Sequence, residues 1–249
     1  LVRAADMSAC VYETQAADCD DGLDNDYDGF TDCQDFSCQD ANPQLCTVAA
    51  TVVAVQDGTV SENTRVQLSG VVVTAVSADG VDLWVQDAGS TSDYNGLHVF
   101  RGAGAPAIAV AVGDVVDVAG VVTEFFDETE LAVDPTVADV SVTGTGTVSV
   151  RSDVPVATLA DAVAGEPYEG MLVEIADVRV VTMNDGFGNF TVGIAGEDLN
   201  VDDKLHGSFT LPAEGTCFST IRGVMGFAFG ERKLYPRDAA DLVTGTTCP

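Results

Sequence analysis

Between Asp24 and Asp35 the sequence reads DNDYDGFTDCQD, with five aspartates around one glycine. Carboxylates crowded this closely repel one another unless a cation sits among them. Counted from Asp24, they fall at positions 1, 3 and 5 (Asp24, Asp26, Asp28), then at 9 and 12 (Asp32, Asp35), with Gly29 at position 6. This is the spacing of a calcium loop. Odd-numbered side chains of a tightly wound loop converge on one centre, and Gly29 permits the sharp bend that brings the Phe30 carbonyl in at position 7. Hard oxygen donors without histidine or thiolate select Ca2+ over zinc or copper. The predicted metal ligands are therefore Asp24, Asp26, Asp28, the Phe30 carbonyl, Asp32 and Asp35.

The loop departs from the helix-flanked EF-hand at position 12, where Asp35 replaces the bidentate glutamate and reaches less far. Cysteines flank it instead of helical patterns. With Cys38 following, the stretch resembles a thrombospondin type 3 calcium repeat. CDDGLDNDYDGFTDCQDFSC as a whole is similar to acidic cysteine modules of secreted, myxobacterial-type proteins, which carry a further cysteine where this chain has Tyr27. A loop locked by disulfides reads as a structural clamp, not a sensor that opens on binding. Asp18, Asp20 and Asp21 are candidates for a second ion, at a spacing that is not diagnostic.

Seven cysteines fall into two groups: Cys10, Cys19, Cys33, Cys38 and Cys46, then Cys217 and Cys248. With no histidine near the first group and no CxxC pair, it reads as a disulfide framework and points to an oxidising, extracellular compartment. Five leave one over, as a free thiol or an intermolecular bridge. Cys217 and Cys248 are expected to pair with each other. Forty acids against ten bases give a net charge of −30, spread over the whole chain. Such a field repels polyanions and attracts divalent cations. No stretch is long and apolar enough for a membrane span, and Leu1-Val2-Arg3 reads as the start of a processed chain.

Residues 1–46 are acidic and cysteine-rich; after Cys46 the texture changes to strand patterns broken by Gly, Asn, Asp and Ser. These then recur. GVVTEFFDETEL (120–131) aligns on GVMGFAFGERKL (223–234), and VQLSGVVV (66–73) on VEIADVRV (173–180). Pro135 with Ala138-Asp139 matches Pro236 with Ala240-Asp241. A repeat of about 100 residues is a domain duplication, too long for a solenoid unit. YNGLHVF, VGDVVDVAGVVTEF, EPYEGMLVEI and KLYPRDAADL resemble OB-fold domains of secreted bacterial proteins, which often accompany extracellular nucleases. The expected fold is all-β: a calcium-binding cysteine-rich module over 1–46 and two OB-like barrels over 47–148 and 149–249. SADG (77–80) and NDGFGNF (184–190) read as hairpin turns.

No HExxH, GxSxG or P-loop occurs, and an enzyme is not expected. His98 and His206 lie at similar places in the two repeats and read as packing or rim positions; Glu128 and Glu231 recur on hairpins that face water. An OB barrel binds single strands through aromatics and a basic groove. Trp84 and Tyr94 are candidates for stacking, and Arg222, Arg232, Lys233 and Arg237 for the groove, but the net charge opposes a nucleic-acid partner. The sequence thus favours a secreted, calcium-binding structural protein that assembles head to tail with itself, or with a matrix, into a filament or surface layer. The alternative is a non-catalytic accessory module that binds nucleic acid or glycan beside an extracellular hydrolase.

Overall fold

The computed structural model describes residues 12–134, 140–183, 188–194 and 197–248. Its N-terminal segment has too few apolar side chains to build a core in the ordinary way. Disulfides Cys19–Cys38 and Cys33–Cys46 take that role, with Cys19, Cys38 and Cys46 buried together. This is the usual solution for a unit of a few tens of residues. The expected framework is therefore present; Cys10 lies outside the described residues. One expectation is corrected: short helices α1 (Phe36–Ala41) and α2 (Pro43–Cys46) do follow the acidic loop. The reason is local. The Asp35 side chain caps α1 by accepting from the Ser37 N–H at 2.6 Å, and Pro43 opens α2 at a position where its missing N–H costs nothing.

Two closed five-stranded barrels follow. The first is introduced by β1 (Val48–Ala50) and α3 (Val52–Gln56). It consists of β2 (Arg65–Val76), β3 (Leu83–Asp87), β4 (Leu97–Phe100), β5 (Asp114–Phe125) and β6 (Glu128–Ala132), with β7 (Val140–Thr145) along β5. After α4 (Val156–Ala160), the second is built from β8 (Leu172–Met183), β9 (Phe190–Ile194), β10 (Glu197–Val201), β11 (Cys217–Ala228) and β12 (Glu231–Tyr235), with β13 (Leu242–Thr244) along β11. Each barrel closes between its first and fourth strands, and its third strand lies parallel to its fifth. That is the strand order of an OB-like barrel. Cys217 and Cys248 are paired as expected.

The twelve-residue first strand of each barrel must serve two neighbours, so it bends. In β2 the register shifts beside Gly70, which sits at φ 71°; the aligned residue in β8 is Asp177, at φ 52°. Asp, with its short polar side chain, tolerates this left-handed backbone better than most residues. Alternate residues such as Val66, Leu68, Val116 and Val118 fill one barrel, and Val173, Ile175, Phe190 and Ile221 the other. The SADG turn lies between β2 and β3, with Gly80 N–H donating to the Ser77 carbonyl at 2.8 Å. Most of NDGFGNF, and Pro135 with Ala138-Asp139, fall outside the described residues.

The barrels meet backbone to backbone. A Cβ on Gly96 would stand 2.1 Å from the Gly170 carbonyl carbon, and Gly170 is itself at φ 69°. Around this contact the Leu172 N–H donates to Gln86 Oε1 at 2.8 Å, and Trp84 and Ala75 pack with Leu172, Val224 and Tyr235. Glu169 pins the junction. Fully buried, it accepts from the Thr129 N–H at 2.8 Å and the Gln56 amide at 3.3 Å, and it pairs with Arg232. Burial pushes its carboxyl up to about 7, against the pull of the Thr129 N–H and of Arg232, whose charge is shared with Glu166.

Two expectations follow from this junction. Gly96→Ala is expected to cost at least about 1–3 kcal/mol, because a methyl group has no room between two backbones; chemical denaturation measures it, and wild-type stability would mean a looser contact. Because the Glu169 pKa is raised, its contribution is complete below about pH 4.5 and is lost as pH rises through about 7. Glu169→Gln, which resembles the protonated form, should flatten the fall in melting temperature across that window.

Candidate metal centre and interbarrel cleft

The acidic loop winds tightly. Asp28 N–H donates to Asp24 Oδ1 at 3.2 Å and Asp26 Oδ1 at 3.1 Å, Gly29 N–H to Asp24 Oδ2 at 3.1 Å, and Phe30 N–H to Asp28 Oδ1 at 2.9 Å. Gly29, at φ 100°, takes the bend assigned to it. Carboxylate oxygens of Asp26, Asp28 and Asp35 lie within 4.8 Å of one another, as do those of Asp24, Asp26 and Glu13. Asp32 is turned elsewhere. It accepts from the N–H groups of Asp21 and Gly22 at 3.0–3.1 Å and clusters with Asp21 and Glu13. The chain thus draws the five predicted aspartates, with Glu13 and Asp21, into three overlapping groups that share Glu13 or Asp26.

Glu13 escaped the sequence reading because it lies outside the loop's spacing and is folded back by the disulfides and by Ser37 Oγ, which donates to its carbonyl at 2.9 Å. Glu13 is 1% exposed and, among the described residues, its Oε2 has no hydrogen-bond partner; Asp35 is 3% exposed, with Oδ2 likewise unpartnered. Burial raises the Glu13 carboxyl above its ordinary range, and Asp35, Asp26 and Asp32 add to the shift against one opposing bond from Asn25. Buried carboxylate oxygens without partners are costly. The two groups that share Asp26 contain one such residue each, Glu13 in one and Asp35 in the other, and all-oxygen donor sets of this kind fit a hard divalent cation.

A second constellation lies between the barrels. A cleft of about 740 Å³ opens between the β5–β6 and β11–β12 hairpins, lined by Phe100, Phe125, Phe126, Phe227 and Phe229. On its wall are His98, Glu128 and Glu130, all buried. His98 on β4 stands in register with Trp84 on β3 and with Glu130 on β6. Its ring stacks on the Trp84 indole at 4.3 Å, the planes 2° apart. Burial disfavours a charged His98, but Asp82, Glu130 and Glu128 outweigh it and raise its pKa. Burial likewise raises Glu128, against the pull of His98 and Lys204. The proposed symmetry of the histidines is corrected: His206 follows β10, and the residue in register with the fifth strand where His98 pairs with Glu130 is Asn200, paired with Lys233.

The residues considered for a nucleic-acid groove are otherwise engaged. Arg222 pairs with Glu174, Arg232 with Glu166 and Glu169, Lys233 with Asp202, and Arg237 with Asp241. Trp84 is buried. Glu128, expected to face water, is buried because the second barrel covers that side of β6; Glu231 is exposed. No protein-family model matches the chain, and no curated protein is similar to it by sequence.

The acidic loop is tested by two variants. Asp26→Ala with Asp28→Ala should abolish calcium-dependent thermal stabilisation. Glu13→Gln should weaken calcium binding about ten- to a hundredfold, yet raise the melting temperature in chelator by removing a buried repulsion. Calorimetry and thermal melts read both; unchanged calcium affinity in both variants excludes this site.

Proposed function

We propose that the protein is a secreted, calcium-stabilised structural protein of the tandem OB type, and that its work is cohesion with further copies of itself. One observation carries the reading. At the β5–β6 tip Phe126 sits at φ 51°, and at the β11–β12 tip Phe229 sits at φ 57°, with 79% and 96% of their side chains exposed. A two-residue hairpin turn with positive φ prefers Asn, Asp or Gly. A bulky aromatic there strains the backbone and leaves an apolar ring in water, which folding does not reward. The feature occurs in both barrels and frames one cleft, as expected of a docking surface.

The partner face has similar chemistry. Tyr27, Phe30 and Phe36 of the N-terminal module are exposed, and the Phe30 and Phe36 rings are 6.4 Å apart. Seating that module in the cleft of the next copy is a head-to-tail contact, which propagates unless its rotation closes a ring. A calcium ion in the acidic loop removes charge repulsion from the contact and holds the module's shape.

Light scattering and electron microscopy of the full chain test this. In millimolar calcium, particle mass should grow with protein concentration. Chelation should reverse the growth, and Phe126→Ser with Phe229→Ser should prevent it without lowering the melting temperature. A wild-type protein that stays monomeric in calcium at high concentration excludes the assembly; the cleft would then be better read as a ligand groove of an accessory module.

A further inference from the structure

His98, Glu128 and Glu130 pose a physical problem that the loop and the hairpin tips leave untouched. Alternation along β4 and β6 sends Leu97, Val99 and Leu131 into the first barrel's core and sets the three polar side chains on its outer face. The second barrel then covers that face, so two carboxylates two residues apart are taken out of water together. Among the described residues Glu128 Oε1 has no hydrogen-bond partner, and neither His98 ring nitrogen makes a well-aligned hydrogen bond. Yet Glu130 Oε1 is only 3.0 Å from His98 Nδ1, and Glu128 Oε2 is 4.0 Å from it. The near carboxylate is thus in close polar contact with the ring, and the far one acts on it through charge alone.

The 3.0 Å spacing of Glu130 Oε1 and His98 Nδ1 is natural for two atoms bound to a common ion, which Glu128 Oε2 would join by closing in from 4.0 Å. Ligands about 2.1 Å from a metal and 90–110° apart at it lie about 3.0–3.4 Å from each other. The second barrel provides a contrast. At the place of Glu130 it has Lys233, which brings its own positive charge and pairs with Asp202 at 2.8 Å. The first barrel has a carboxylate there instead. Lys204 stands 4.0 Å from Glu128 Oε2 but leaves Oε1 unpartnered, and its ammonium is held over the Trp84 and Tyr235 rings.

The surroundings are those of a built site. The His98 ring is fixed by the Trp84 stack and by the edge of Phe100 at 6.1 Å. Asp82 Oδ2 lies 3.9 Å from His98 Nε2, on the side opposite the two glutamates, and Asp82 Oδ1 is held by the Arg101 N–H at 2.8 Å. At 3.9 Å this carboxylate acts on the imidazole through its charge, which strengthens the ring as a donor. We propose that His98 Nδ1 and one oxygen each from Glu128 and Glu130 bind a first-row divalent cation of the zinc class. One imidazole with two carboxylates is a borderline donor set, distinct from the all-oxygen loop around Glu13. Three protein ligands leave a coordination position for water or an oxygen donor entering along the phenylalanine-lined cleft.

The test is a cobalt titration of the metal-stripped full chain in millimolar calcium, which fills the acidic loop. One Co2+ per chain should bind with a visible d–d band, and Zn2+ should displace it. His98→Gln and Glu130→Gln should each weaken binding about tenfold or more. His206→Gln and the paired Asp26→Ala, Asp28→Ala variant should leave it unchanged. Far-ultraviolet spectra of each variant check folding, and Glu130→Gln keeps the test open if His98→Gln unfolds. Absence of a band in the wild type at millimolar Co2+ overturns the site, as does equal affinity in the folded Glu130→Gln protein.

Discussion

The contact between Gly96 and Gly170 governs everything that the second half of the molecule does to the first. Two backbones approach so closely only where neither carries a side chain. That approach presses the outer face of β3, β4 and β6 against Leu172, Val224 and Tyr235. Without it, Trp84, His98, Glu128 and Glu130 would be ordinary solvent-facing residues of a barrel wall. With it, they become the wall of a cleft whose rim is two hairpins. Glu169 reinforces the junction by joining three parts of the chain, Gln56, Thr129 and Arg232, through one carboxyl group.

The N-terminal module obeys a different constraint. Its charge works against compaction and its apolar content is small, so covalent bonds hold what hydrophobic burial cannot. The module is nonetheless anchored: the Gln39 amide donates to the Cys33 carbonyl at 2.9 Å and to Asn63 in the first barrel's leading loop at 2.6 Å. The acidic loop is thus carried on a braced unit. Among its described acids only Glu13 and Asp35 are buried, and the other aspartates stand at or near the surface.

Local features were legible in the sequence, and contacts between distant segments were not. The repeat revealed the duplication because both barrels must bend their first strand at the same place, through Gly70 in one and Asp177 in the other. The loop's spacing singled out Asp24, Asp26 and Asp28, whose side chains accept from the loop's own N–H groups. Asp32 and Asp35 carry the same spacing, but one is captured by the N–H groups of Asp21 and Gly22 and the other caps α1. Glu13 reaches the cluster through the disulfides and through bonds from Ser37 and Asn25, none of which the spacing shows. The cluster at His98 was equally hidden, because its burial depends on a barrel about 100 residues further along. Matching the two histidines by sequence position misled: the spacing of His98 and His206 is close to the repeat length, yet they occupy different parts of their barrels.

Trp84 is the chain's only tryptophan, and it lies face to face with the His98 imidazole, 4.3 Å away. All indole fluorescence of the folded protein therefore originates at one point on the cleft wall. An imidazole in van der Waals contact quenches an indole to a degree set by its charge, so the emission intensity reports the electronic state of His98 directly. The cleft comes with its own optical probe, and no dye has to be attached to follow what enters it.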